Sequence, residues 1–562
     1  MSDLKRRAET LPHTKCMPMA ILAIWAILVI VIVATRIPTI LHILHGQEAN
    51  VDELQMALSS ADRFLGVPAV NLAWPGGPQQ FLGVLGIICT FAMLMEPSQE
   101  AFVRFLSHVY RNPWPTLTYM RVLVAVISSI GIASLFFPIY RATRSVLLGA
   151  ICVLVFALIP QIWIHSQMAG ADAIALGLAC LAFSVIGYTQ YWPPLMGILL
   201  GLACAQKMSV VFAVPFILAM AINYDKHFKP IACCIGFMMI GFILACPYLW
   251  VDPVRLGKAI LGNAAGRAHP AGLSEFVKRL SATATPLLLW SAIFGLGILI
   301  RRRHIIVPIG LIVSFTAALS VIAKGGVVYS RYFLWSTIPL IFLLSLFLNS
   351  CTNWVANLHR PYQRLVGNCC IGGFVAIMLS SNITGCLQNL NYIVDVQTRM
   401  NNVVGLIVEK AGANPILIPS YFLPYLANQW SRNSIEAQWQ KTRQEYLSGR
   451  SVFEFATRRG ITPSTVQSLA NGFTEREQVF LARMKIMAYT APSTGLNCQL
   501  WADKETANRL GFVTEQEATT EWAEGRAALV LPSPFPKRSL AMDPLPEYDY
   551  LAKASNGGKP FQ

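Results

Sequence analysis

Met17-Pro-Met-Ala-Ile-Leu-Ala-Ile-Trp-Ala-Ile-Leu-Val-Ile-Val-Ile-Val-Ala-Thr35 contains no charged residue. A helix of that length, rising about 1.5 Å per residue, spans a hydrocarbon core of about 30 Å. Lys5, Arg6, Arg7 and Lys15 precede it and no small-residue cleavage site follows, so it reads as an uncleaved first membrane helix. The rest of the chain repeats the pattern: 55% of the 562 residues are hydrophobic, only 13% are charged, and the mean hydropathy is +0.51. Such a balance excludes an ordinary soluble globule and indicates an integral membrane protein. The formal charge of +16 does not point to nucleic acid, because the basic residues sit in short clusters between apolar runs.

Those clusters set topology, since cytoplasmic ends carry the excess of Lys and Arg. Lys5 to Lys15, Arg141 with Arg144, Lys226 with Lys229, Arg301-Arg302-Arg303, and Arg360 with Arg364 all fall on one side if helices cross at about 17–35, 119–139, 145–161, 173–188, 195–206, 209–222, 230–247, 284–300, 305–322, 333–348 and 365–382. The fold class is thus a polytopic α-helical membrane protein with about 11 crossings. The run Phe81 to Met95 is short and would invert the later clusters, so it reads as a re-entrant or interfacial helix. The segments 195–206 and 209–222, divided at Gln206-Lys207, are expected to form a tight hairpin.

The apolar runs stop near residue 382, which divides the chain into a membrane domain, 1–382, and a soluble domain, 383–562, on the extracytoplasmic side. In the second, Asn391 to Lys410, Ser434 to Ser448 and Thr474 to Tyr489 read as helices, and Ala413 to Pro419 and Ala527 to Pro532 carry strand candidates, a small α/β domain. Most of the 13 cysteines lie in apolar runs and read as buried small hydrophobes. Cys386 and Cys498 fall in the soluble part and would be free to pair as a disulfide outside the cytoplasm. No CxxC pair or His-rich tract indicates structural zinc.

The topology gathers chemistry on the outer face. Asp52 and Glu53 follow the first helix, and Asp172 opens a later one. Arg255 and Lys258 lie in the loop 248–283, Lys207 divides two apolar segments, and Arg331 with Tyr332 opens another helix. A phosphate leaving group needs cations or a metal to hold its charge, and an attacking hydroxyl needs a base, usually a carboxylate in glycosyl transfer. Each residue also has a plain reading: Asp52 and Asp172 as helix N-caps, Lys207 as a snorkelling interfacial residue, Arg331 as a lipid anchor. His42, His45 and His165 read as packing or interfacial residues before metal ligands.

The order of these pieces resembles the GT-C class of membrane glycosyltransferases, in particular the branch of protein O-mannosyltransferases and the lipid A aminoarabinose transferase. The pieces are Asp52-Glu53, Trp74-Pro75-Gly76-Gly77-Pro78 leading into Phe81, Pro160 followed by Asp172, Gly201-Leu202-Ala203 with Lys207, and Arg331-Tyr332-Phe333-Leu334 with Pro339-Leu340, over about residues 17 to 345. The resemblance implies an inverting enzyme with a polyprenyl-phosphate sugar as donor and a glycan, lipid or protein as acceptor. It implies Asp52, with Glu53 beside it, as base; Asp172 positioning the acceptor or, with Asp52, a divalent cation (Mg or Mn); and Lys207, Arg255, Lys258, Arg331 and Tyr332 at the donor phosphate. The stretch between Pro160 and Asp172 lacks an arginine often found in the class, and extra sequence stands between Met95 and Arg121. A lipid flippase or transporter, and a glycan polymerase or ligase using a diphosphate-linked oligosaccharide, are the rival readings. Against the first, no internal repeat is visible and the ionisable residues cluster at helix ends. The chain ends without a retention signal, which favours a bacterial cytoplasmic membrane over the endoplasmic reticulum.

Overall fold

A computed structural model of the chain describes residues 19–42, 60, 77–94, 114–188, 191–225, 227, 229–246, 249, 253–254, 273–325, 330–411, 416–417, 498–503, 513–515 and 526–531. The helices are α1 (Met19–Ala34), α2 (Ile37–His42), α3 (Gly77–Leu94), α4 (Trp114–Ser134), α5 (Phe136–Thr143), α6 (Val146–Ala157), α7 (Pro160–His165), α8 (Ala171–Ser184), α9 (Trp192–Gln206), α10 (Val214–Asp225), α11 (Lys229–Ala245), α12 (Leu273–Thr283), α13 (Pro286–Arg301), α14 (Ile306–Gly325), α15 (Thr337–Ala356) and α16 (Pro361–Ala411). Two 3-10 turns, Met208–Ala213 and Ser330–Ser336, lead into α10 and α15.

Among the described residues five stretches are long and apolar enough to cross a membrane: Met19–His42, Thr116–Thr143, Met208–Asp225, Phe333–Ala356 and Pro361–Asn391. The pair Phe276–Thr283 and Pro286–Arg301, bent by 98°, makes a sixth if it is one span. Each of the remaining predicted crossings has a shorter apolar helix in its place, as has the run after Phe81. The chain is a polytopic helical membrane protein. Breaks in backbone hydrogen bonding shorten these elements. Pro160, which has no N–H to give, starts α7 and separates it from α6. Arg144, with φ 57°, ends α5, and the Ser145 side chain then accepts from Leu148 N at 3.2 Å to cap α6.

The helices approach closely where side chains are small. A Cβ on Gly201 would lie 2.2 Å from the Met238 carbonyl oxygen, and one on Gly197 would lie 2.3 Å from that of Cys234, so the spacing Gly197-x-x-x-Gly201 lays α9 directly on α11. α10 packs chiefly on α14 instead. The hairpin expected from 195–206 and 209–222 is therefore replaced by two helices with different partners. Deeper in the core, Phe183, Phe216 and Phe342 bring α8, α10 and α15 together at centroid separations of 5.7 to 6.3 Å.

The two ends of the bundle differ. At one, the Arg141 guanidinium donates to the carbonyls of Ile186 and Ser184, closing the end of α8, and lies 4.2 Å from the centre of the Tyr188 ring. His304 meets Asn223 at that end at 3.0 Å. The opposite end collects Arg36, His165, Asp172, Lys207 and Arg331.

α16 corrects two sequence-based expectations. The separate helices read at 365–382 and 391–410 are one continuous element of 51 residues. Cys386, placed in the soluble part, is buried in that helix as a free thiol donating to the Leu158 carbonyl at 3.3 Å, so it is not in a disulfide. Beyond α16 the described residues form a four-stranded antiparallel sheet of β1 (Ile416–Leu417), β2 (Cys498–Asp503), β3 (Val513–Glu515) and β4 (Arg526–Leu531) in the order β1-β2-β4-β3. β1 and β4 match the two strand candidates, and β2 and β3 are additional. The helices expected at 434–448 and 474–489 lie outside the described residues.

Candidate functional site

Asp172, Lys207 and Arg331 come from three separate elements and meet. Asp172 sits in the first turn of α8 and Lys207 is the residue that ends α9; Arg331 lies in the 3-10 turn Ser330–Ser336. The Lys207 ammonium stands 3.3 Å from Asp172 Oδ1 and 3.5 Å from Oδ2. The Arg331 guanidinium reaches 4.0 Å from Oδ2, an ion pair at longer range than a hydrogen bond. Their side chains are only 5 to 6% exposed. The helix ends favour this arrangement, since an acid at the start of α8 and a cation at the end of α9 each oppose the local backbone dipole.

The plain readings of these three residues give way accordingly. Gly170, with extended backbone and no side-chain bond, caps α8, and Asp172 is turned to the cations instead. Lys207 and Arg331 are buried, which excludes a snorkelling or lipid-anchoring position for their head groups. Tyr332 belongs to the same 3-10 turn, and its side chain lies outside the described residues. Asp52, Glu53, Arg255 and Lys258 lie outside them as well.

Of two further neighbours, Arg36 was not singled out by sequence and His165 was read as a packing or interfacial residue. Arg36, between α1 and α2, is fully buried and donates through Nε to Ser166 Oγ, to the Ile32 carbonyl at 2.8 Å and to the Ala157 carbonyl at 3.3 Å. Ser166 donates onward to the Trp163 carbonyl at 2.8 Å. Arg36 thus ties the end of α1 to the end of α6 and to the turn after α7, which leads into Asp172. The only sequence signal was an arginine immediately after an apolar run, a pattern shared with any interfacial residue.

His165 ends α7 and is buried within electrostatic reach of Asp172, Lys207 and Arg331. Burial lowers its pKa from 6.5 to about 4; the nearby Asp172 opposes the shift, while Arg331 and Lys207 add to it. The folded state therefore favours neutral His165. Its contribution is complete above pH 6.5 and is lost as pH falls toward 4. Thermal unfolding of the purified protein in detergent is expected to show that decline, and His165→Gln is expected to flatten it over the same window.

The described donors around Asp172 are an ammonium, a guanidinium and an imidazole, and no group of three His, Cys, Asp or Glu suited to a metal occurs among the described residues. Asp172 already faces two cations, and Asp52, the other carboxylate expected at a divalent ion, lies outside the described residues.

Above this cluster, Phe276 of α12 stacks edge-on against Phe333 with centroids 4.9 Å apart, fixing the turn that holds Arg331. Trp335 in the same turn packs between Phe212 and Phe315, at 5.8 and 5.2 Å. The turn is therefore held from both sides by aromatic contacts, which restricts where the guanidinium can go.

No family model matches the chain, nor does any curated protein. Among solved structures, ArnT from Cupriavidus metallidurans bound to undecaprenyl phosphate is similar to it, with a TM-score of 0.47 and 10% identity over 92% of this chain and 99% of that one.

Proposed function

We propose that this chain is an inverting glycosyltransferase that moves a hexosyl or pentosyl group from a polyprenyl-phosphate carrier to an acceptor hydroxyl at the outer face of a bacterial cytoplasmic membrane. The observation that supports it is the convergence of Lys207 and Arg331, expected from sequence at the donor phosphate, with Asp172, expected at the acceptor or a divalent cation. An ammonium and a guanidinium side by side carry the charge and the N–H geometry by which phosphate oxygens are recognised. Buried placement strengthens each such contact relative to water.

In this reading the acceptor hydroxyl attacks the anomeric carbon of the sugar from the face opposite the phosphate, and its proton passes to the Asp52 carboxylate. The bond between the anomeric carbon and the phosphate oxygen breaks, and polyprenyl phosphate leaves as an anion beside Lys207 and Arg331. The leaving group needs no proton. Asp172 holds the two cations in place and offsets their charge while the donor is absent. Arg255, Lys258 and Tyr332 are candidates for the same phosphate, and Glu53 is the alternative base. No step is routed through a metal.

The test is transfer of radiolabelled sugar from a panel of polyprenyl-phosphate donors by the purified full-length protein, with and without chelator. Turnover is expected with at least one donor and unchanged by chelator, and Lys207→Met is expected to raise the donor KM at least about tenfold, the loss of one charge-assisted contact. Absence of turnover with every donor in the panel, or transfer only from diphosphate-linked oligosaccharides, overturns the reading in favour of a flippase or a ligase. Activity abolished by chelator and restored by Mg or Mn overturns the metal-free form of it.

A further inference from the structure

A cavity of about 820 Å³ lies between α7, α12, the start of α13 and α16. Its volume is within the range of small-molecule sites. Among the described residues lining it none is ionisable: Gln161 comes from α7, Ser281 from α12, Thr285 from the bend before α13, and Ser380, Thr384 and Gln388 from α16. On α16 the lining follows two adjacent rows with a spacing of four, 376-380-384-388 and 377-381-385-389. Both rows begin with an apolar residue, Ala376 or Ile377, and end with an amide, Gln388 or Asn389. The groove is therefore apolar at one end and polar at the other, over about 18 Å of helix.

Gly385 sets its depth. A Cβ there would lie 2.6 Å from Pro160 Cγ, so the absence of a side chain lets α16 sit against the start of α7. Gln161 and His165 are four residues apart on α7, one turn (about 5.4 Å) along the same face. The groove thus begins one helical turn from His165, which lies within electrostatic reach of Asp172, Lys207 and Arg331.

We infer that this groove seats the acceptor as an uncharged, hydroxyl-rich head group on a lipid chain, an inference that rests on the glycosyltransferase reading. Hydroxyl and amide side chains each donate and accept, matching the alternating donors and acceptors of a sugar or polyol. An anionic head group would call for Lys or Arg, and there is neither among the described lining residues. Polar side chains on a membrane helix are costly when they face lipid tails, and Ser380, Ser381, Thr384 and Gln388 are exposed among the described residues, so a polar occupant offsets that cost. The division of labour is chemical: the cationic cluster takes the phosphate of the donor, and the neutral groove takes the polyol that attacks.

The experiment uses the full chain in phosphatidylcholine vesicles with three diazirine lipids of equal chain length: a glucosyl diacylglycerol, a diacylglycerol and a phosphatidic acid. Cross-linked peptides are mapped by mass spectrometry. Peptides containing 376–389 or 281–286 are expected to be labelled at least fivefold more by the glucosyl lipid than by the other two. Ser380→Ala/Thr384→Val/Gln388→Leu is expected to abolish that preference, and Ile377→Trp, at an exposed position outside the core, to block labelling by filling the groove. Equal labelling by all three lipids, preference for phosphatidic acid, or no labelling of these peptides overturns the inference. A photoreactive polyprenyl phosphate run in parallel, mapped around Lys207, separates the two readings, because its labelling there survives a failure of the groove and its absence counts against the donor.

Discussion

Replacing Asp172 by leucine is expected to cost about 3–5 kcal/mol of stability, because it leaves the buried Lys207 ammonium and Arg331 guanidinium without their shared carboxylate. Isolated charges in a low-dielectric interior are far more expensive than a missing attraction, so the penalty belongs to the cations left behind rather than to the acid removed. Asp172→Asn preserves shape and one acceptor oxygen and should cost less. The double variant Asp172→Leu/Lys207→Leu is expected to recover only the part of the loss that belongs to Lys207, since Arg331 still lacks the carboxylate. Thermal unfolding and the monodisperse fraction in detergent measure all three. A single leucine variant as stable as wild type would show that the pair is not buried as described.

Asp52→Asn is expected to reduce kcat by about 10²–10⁴, the usual contribution of a positioned general base, with donor KM little changed. The substitution keeps the size and loses the basicity. Asn at position 52 also retains a hydrogen-bond acceptor, so a merely orienting role would survive it. Glu53→Gln is the internal control: adjacent acids differ by one residue in direction along the chain, and only one is expected to face the attacking hydroxyl. A fall in kcat with Glu53→Gln and none with Asp52→Asn would move the base by one position. Full activity in both variants refutes a carboxylate base in this loop.

Much of the membrane fold was legible because apolar length is a strong and local signal. Every predicted crossing has a helix, from the one starting at Met19 to the one starting at Pro361. The errors lie where the signal is ambiguous. Ser380-Ser381-Asn382 reads as the point where an apolar run gives out, yet these residues continue α16: Ser380 and Ser381 line the groove, and the Asn382 amide donates to the Val155 carbonyl at 3.1 Å. A polar stripe and a polar terminus look alike in one dimension. In the same way, Cys498-Gln-Leu-Trp-Ala-Asp503 is short, and the consecutive apolar Leu500-Trp501-Ala502 breaks the alternation that marks a half-buried strand.

The site was legible in part. Lys207 stood out because a lysine between two apolar segments is costly unless paired, and its pairing with Asp172, 35 positions earlier, is what the fold adds. Arg36 carried no such signal. Its value comes from three carbonyl and hydroxyl acceptors contributed by α1, α6 and the turn after α7, none of which can be foreseen from its own neighbourhood in the chain.

The uninterrupted run of α16 imposes a phase relation. A helix of 51 residues is about 77 Å long, more than twice the thickness of a hydrocarbon core, and it turns about 100° with each residue. Deleting one residue between Asn391 and Ala411 would rotate all that follows by about 100° relative to the groove and draw it in by about 1.5 Å. Deleting seven would restore the azimuth to within about 20° at the cost of roughly 10 Å in reach. Length in this segment therefore carries an angle: a change of seven residues leaves the end of α16 turned by about 20°, of four by about 40° and of three by about 60°.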